Sequence, residues 1–264
     1  MTKNLFFEGP PGCGKTTLIF EMLGNAVRKA GGFAVSRLRR EDGSIAGYCA
    51  VKACEFKGAD RTFYAPDKAT VFLEFAERGS VFKADALAAF ICDSLRICSS
   101  NVNGTRYDFL LMDEIGGAEL VKDSVREALL QALDSDYPVI GVLKSRHNAQ
   151  KEAAKLKIET EWKSMLSGIN GELRAGAIEN PSEGKNGYLQ MYDAFRVMLE
   201  NRKDTTIVEY ARASLTAMAT SYAGEGYNDR ILLPDGWRQT GVTDKDAAAT
   251  LIKDWMVENH VGNI

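Results

Sequence analysis

From its amino end, the chain alternates short apolar runs with stretches in which apolar side chains recur every three or four positions. Asn4-Leu5-Phe6-Phe7-Glu8 is an apolar run closed by glycine and proline, the profile of a strand buried on both faces. Residues 15–28 then place Leu18, Met22, Leu23 and Val27 at near-helical spacing, and Gly31-Gly32 is expected to stop that helix. Strands are expected at 33–37 and 45–51, joined by a hairpin turn at Arg40-Glu41-Asp42-Gly43, and another at 71–75. The spacing predicts a helix over 83–98 with Leu87, Phe90, Ile91, Leu95 and Cys98 on one face. After a polar loop at 101–106, Phe109-Leu110-Leu111-Met112 reads as a central strand. A helix over 119–134, with Leu120, Val125, Leu129 and Leu133 inward, leads to a strand at 138–143.

Strands alternating with helices imply a mainly parallel sheet with right-handed crossovers. Beyond residue 144 the pattern changes. Residues 148–166 and 188–201 read as helices separated by a Gly/Asn/Pro-rich stretch over 168–187. Residues 207–222 read either as a helix or as a segment opened by a strand at 205–209. A last helix is expected over 243–259, capped by Thr243 with Asp246 at its third position.

The first strand runs straight into Gly9-Pro10-Pro11-Gly12-Cys13-Gly14-Lys15-Thr16, which satisfies G-x-x-x-x-G-K-[ST]. Glycines let the backbone turn tightly and aim several amides at phosphate oxygens with no Cβ in the way. The helix that opens at Lys15 adds its positive dipole end at the same place. Lys15 is expected to reach the β- and γ-phosphates, and the Thr16 hydroxyl to ligate Mg2+. The phosphate-binding set is Gly9, Pro10, Pro11, Gly12, Cys13, Gly14, Lys15, Thr16 and Thr17. A motif of this kind is informative because of its setting, between an apolar strand and an amphipathic helix.

Asp113 and Glu114 follow the central apolar run directly. They are expected at the carboxyl end of a buried strand, the edge where open α/β sheets bind ligands. Asp113 is the expected second magnesium ligand with Thr16, because Mg2+ takes hard oxygens and needs only one or two from protein. Glu114 stands where a general base or water-orienting group would stand, which makes Lys15 and Glu114 the catalytic candidates.

Composition removes other chemistries. A net charge of -3 gives no electrostatic case for nucleic acid. Five cysteines without close paired spacing form neither a disulfide framework nor a zinc site. Two histidines, His147 and His260, leave no histidine-rich metal site and no obvious Ser-His-Asp triad. With no signal-peptide pattern and no apolar run near the roughly 20 residues that span a bilayer, the expectation is a cytoplasmic protein with no membrane partner.

Gly9 to Thr17, then Gly32-Phe33, Arg37, Arg40, Gly43 and Gly47-Tyr48, and then Asp113-Glu114-Ile115-Gly116 with Glu119-Leu120 resemble the small P-loop nucleoside-triphosphatase family, of the thermophilic and cancer-related type. The likeness covers roughly residues 1–145. It implies magnesium-dependent hydrolysis of several nucleoside triphosphates with little base selectivity. It also implies a core allied to the recombinase-type ATPases, in which the glutamate after the second aspartate activates water; that role would fall on Glu114. Two departures stand out. Gly117-Ala118 lies where the family tends to carry lysine or proline and then methionine, so a basic side chain is missing there. The chain also continues for about 120 residues past the last clear strand.

The expected fold is therefore an α/β, mainly parallel-sheet P-loop NTPase core over 1–145 with a helical carboxyl-terminal extension over 146–264. Alternatively, 146–203 is an insertion before a last core strand and helix. Arg37, Arg40 and Arg146 are candidates for neutralising a transferring phosphoryl group, although solvent-facing charge is the commoner use of such arginines. Two other functions compete. A nucleotide or small-molecule kinase would use Lys144, Arg146, Lys151, Lys155, Lys157, Lys163 and Arg174 as a lid. A nucleotide-gated switch would use the carboxyl-terminal helices to bind a protein partner. Trp162, Trp237 and Trp255 could line such a surface, but core packing is their commoner use.

Overall fold

Side chains alternate faces along a strand, so a central strand buried on both sides must be apolar throughout. The middles of the strands around Phe6 and Leu110 obey this rule, and their polar residues, Asn4, Glu8, Asp113 and Glu114, stand towards the strand ends. The computed structural model describes residues 2–56, 69–76, 79–96, 107–156, 187–210, 240–242 and 245–262. Its strands are β1 (Asn4–Gly9), β2 (Ala30–Arg39), β3 (Ile45–Lys52), β4 (Thr70–Ala76), β5 (Gly79–Phe82), β6 (Phe109–Ile115), β7 (Val139–Lys144), β8 (Thr205–Tyr210) and β9 (Thr240–Val242). Its helices are α1 (Lys15–Leu23), α2 (Ala84–Arg96), α3 (Asp123–Asp134), α4 (Arg146–Leu156), α5 (Gly187–Asn201) and α6 (Lys245–Glu258).

The strands form one sheet in the order β5-β4-β3-β2-β6-β7-β1-β8-β9. From β2 to β9 all neighbours are parallel, whereas β3, β4 and β5 are added antiparallel at one edge. The fold is α/β with a mainly parallel sheet, as expected. Pleating divides the core in two. Phe6, Leu110, Met112 and Leu143 pack on one face with Leu87 and Ile91 of α2, Val125 and Leu129 of α3, and Tyr188 and Tyr192 of α5. Leu5, Phe7, Phe109, Leu111 and Val142 pack on the other with Leu18 and Ile19 of α1 and Ile252 and Trp255 of α6.

Several boundaries differ from the sequence reading. The first helix ends at Leu23, where Gly24 takes a positive φ, and a 3-10 turn (Gly24–Lys29) follows. Gly31 and Gly32, expected as the helix stop, lie inside β2. A Cβ on Gly32 would stand 2.2 Å from the Leu111 carbonyl oxygen, and its φ is +87°, so only glycine lets β2 lie against β6 here. The helix expected from 119 is a 3-10 turn (Ala118–Val121) followed by α3. Of the two readings for this segment, the strand at 205–209 holds: residues 205–210 are β8, paired in parallel with β1. The short strand β9 was not anticipated.

Trp255 is buried, meets Phe109 edge-on at 5.9 Å, and donates its indole N–H to the Lys3 carbonyl at 2.9 Å. The polar loop at 101–106, Cys98 and Thr243 lie outside the described residues, as do 157–186 and 211–239, with Trp162 and Trp237 among them. Among the described residues no helix is long and apolar enough to cross a membrane.

Candidate active site

The loop after β1 is shaped by its glycines. A Cβ on Gly9 would stand 2.0 Å from the Tyr210 carbonyl oxygen at the end of β8, so β1 can turn away there only without a side chain. Gly12 (φ 76°) and Gly14 (φ 96°) hold left-handed conformations, and Gly14 is the residue from which α1 departs. The Cys13 thiol is fully buried and donates to the same Tyr210 carbonyl at 3.4 Å. Pro10 and Pro11 cover the outside of the turn, and Thr17 follows Thr16 in the first turn of α1.

Lys15 is 7% exposed. Its ammonium donates to the carbonyls of Gly9 at 2.8 Å and Pro10 at 2.9 Å, folded back across the loop it belongs to. Thr16 projects towards the sheet, and its hydroxyl donates to Asp113 Oδ1 at 3.0 Å. Asp113 is 4% exposed, at the carboxyl end of β6. One strand, β7, separates β6 from β1. Two strand spacings, about 10 Å, therefore lie between the phosphate-loop strand and the acidic strand.

Glu114 sits at an irregularity in β6: Asp113 pairs with Val142 and Ile115 with Leu143, so Glu114 is an extra residue in the ladder. Such a bulge re-aims the side chain it carries. The Glu114 carboxylate is partly exposed and lies 3.3 Å from the Lys144 ammonium at the end of β7. Lys144 also pairs with Glu152 of α4. Burial works against its charge, but the carboxylates of Glu152 and Glu114 outweigh this and hold its pKa well above the ordinary lysine value. Tyr188 of α5 donates to the Gly116 carbonyl at 2.9 Å and lies 3.3 Å from Glu152. Burial, foremost, raises the pKa of the Tyr188 hydroxyl. This cluster escaped the sequence reading, because Lys144, Glu152 and Tyr188 come from three separate elements.

The Thr16 hydroxyl and Asp113 carboxylate form a pair of hard oxygen donors within hydrogen-bond distance. That set fits Mg2+, which keeps most of its other positions for water and phosphate oxygens. The arginine candidates stand elsewhere. Arg40 is exposed and ties the β2–β3 hairpin to Phe75 O at 2.6 Å and Ile45 O at 3.3 Å. Arg37 is half-buried on β2. Arg146 forms a two-point ion pair with Asp193 of α5, at 2.9 and 3.1 Å. Of the basic residues read as a lid, Lys144 and Arg146 are thus held by carboxylates and Lys151 is exposed on α4. Lys157, Lys163 and Arg174 lie outside the described residues, and the side chain of Lys155 does too.

The sequence profile of the NTPase family matches residues 4–166, more than half of the chain. The chain belongs to this NTPase family. The match runs from β1 through the phosphate loop and the acidic pair, and past β7. Two solved structures are similar to this chain. THEP1 from the hyperthermophile Aquifex aeolicus shares 18% identity at a TM-score of 0.40, over 58% of this chain and 84% of that one. A human cancer-related nucleoside triphosphatase shares 15% identity at a TM-score of 0.47, over 84% of this chain and 98% of that one. The search among curated proteins returned no match.

Glu119 is buried and accepts the Gly117 amide at 2.7 Å. Burial pushes its pKa from 4.5 up to about 7, only partly countered by Lys144. The folded carboxyl therefore keeps its proton between pH 4.5 and 7 while the unfolded one loses it. Stability from this group is complete below pH 4.5 and is lost as pH rises through 7. The loss is on the order of 3 kcal/mol. Glu8 and Glu200, also raised by burial, act in the same direction. In urea unfolding at pH 5 and pH 8, Glu119→Gln should flatten the decline seen in wild type. Equal declines in both proteins would refute this assignment.

Proposed function

We propose that this chain hydrolyses nucleoside 5'-triphosphates to diphosphate and phosphate with Mg2+, tolerating different bases. One observation carries the proposal: Thr16 of the phosphate loop is bonded to Asp113, and Glu114 follows at a bulge on the same strand edge. Membership of the NTPase family supports the reaction class.

In this reading the loop amides from Gly9 to Thr17 and the start of α1 receive the phosphates. Lys15 leaves the Gly9 and Pro10 carbonyls for the β- and γ-phosphate oxygens, where charge grows in the transition state. Thr16 and Asp113 would hold Mg2+, which when bound neutralises phosphate charge. Glu114 orients a water on the far side of the γ-phosphate and takes up its proton. The water oxygen bonds to the γ-phosphorus as the bond to the bridging oxygen breaks, and the diphosphate leaves.

The test is phosphate release from ATP, GTP, CTP and UTP, with and without Mg2+. Release from several of the four, lost on chelation, is the expected result. Tight nucleotide binding with almost no release would overturn hydrolysis as the unaided task. Transfer to a small acceptor would identify a kinase, and release only with an added protein a gated switch.

A further inference from the structure

Glu114 can orient water only if its carboxylate is held in one place. A bulged residue lacks the support of the regular ladder, so something else must hold it. The one cation recorded against Glu114 among the described residues is Lys144. The Lys144 backbone is fixed twice: its Cα is the cross-strand partner of Gly9, the first residue of the phosphate loop, and its carbonyl accepts the Tyr192 hydroxyl at 2.6 Å. Its ammonium is fixed by Glu152, which also accepts the Ala118 amide at 3.4 Å. The side chain reaches Glu114 past Gly117, where a Cβ would stand 3.1 Å from the Lys144 nitrogen. Position 117 has no basic side chain of its own, and a lysine from β7 brings a positive charge beside it.

We propose that Lys144 is the positioning residue for Glu114, holding its carboxylate at the end of β7 between the phosphate loop and the acidic strand. The inference rests on Glu114 as the water-orienting group. It assigns a task to the segment after β7, since Glu152 of α4 and Tyr192 of α5 fix Lys144 and Tyr188 braces the Gly116 carbonyl. Lys144 acts through Glu114 and is not itself a catalytic residue.

A double-mutant cycle tests this. Lys144→Met should lower kcat about 10- to 100-fold, the usual effect of removing a group that orients a reacting one. KM should stay within about threefold, because the phosphate contacts are untouched. In a Glu114→Gln background the same change should lower the residual single-turnover rate less than about threefold, since there is no carboxylate left to position. Equal losses in both backgrounds would overturn the proposal and leave Lys144 a structural residue. If Glu114→Gln by itself leaves turnover intact, the base assignment fails, and the positioning role with it. Should Lys144→Met not fold with Glu152 left unpaired, Lys144→Met/Glu152→Gln removes one charge of each sign and carries the same comparison.

Discussion

Glu114→Gln is expected to slow phosphate release about 100- to 10,000-fold, the range of a lost general base, while nucleotide stays bound. The separation follows from geometry. The groups expected on the phosphates and Mg2+ come from the phosphate loop and from Asp113, whereas Glu114 is out of the ladder and directed to Lys144. Gln is nearly isosteric and keeps an oxygen that can accept a hydrogen bond from water, but it cannot take up the proton. Its loss of charge also weakens the tie to Lys144, so the variant removes both the base and part of its positioning. The measurement is kcat from phosphate release beside nucleotide affinity by titration. A variant that turns over within threefold of wild type would remove Glu114 from the mechanism.

Lys15→Ala should fail differently, with kcat/KM lower by about 1,000-fold and nucleotide affinity reduced as well. The Lys15 ammonium is nearly buried beneath the loop and bonded to two of its carbonyls. Removing it takes away the one side-chain charge the loop offers to phosphate. It also leaves the carbonyls of Gly9 and Pro10 without that donor, at a cost of about 1–2 kcal/mol in stability. Thermal unfolding without nucleotide would show this small loss. Nucleotide-induced stabilisation should be much weaker than in Glu114→Gln. Equal nucleotide-induced stabilisation in the two variants would mean that Lys15 does not meet the phosphates.

The sequence was most legible where local pattern and burial agree. Phe109 to Met112 must be a central strand, because four consecutive apolar residues suit only an element covered on both faces. Gly9 to Thr16 was readable because backbone-phosphate chemistry imposes its own spacing. The failures have one cause as well. Gly31-Gly32 resembles a helix stop when seen alone, yet it lies in β2 because β6 approaches too closely for a Cβ, a fact about a strand almost 80 residues later. Residues 205–210 carry no decisive periodicity, and pairing with β1 makes them a strand.

The sequence by itself determined the α/β class, the phosphate loop and the acidic pair at a strand end, since these depend on near neighbours and on apolar period. Only the tertiary structure decided that Thr16 and Asp113 meet and that one strand separates their supports. It alone brought Lys144 to Glu114, Glu152 to Lys144 and Tyr188 to Glu152. The physical reason is sequence separation in the deciding contacts: Thr16 with Asp113, Glu114 with Lys144, and Tyr188 with Gly116 join elements far apart in the chain, and the local apolar pattern does not reveal which elements become neighbours.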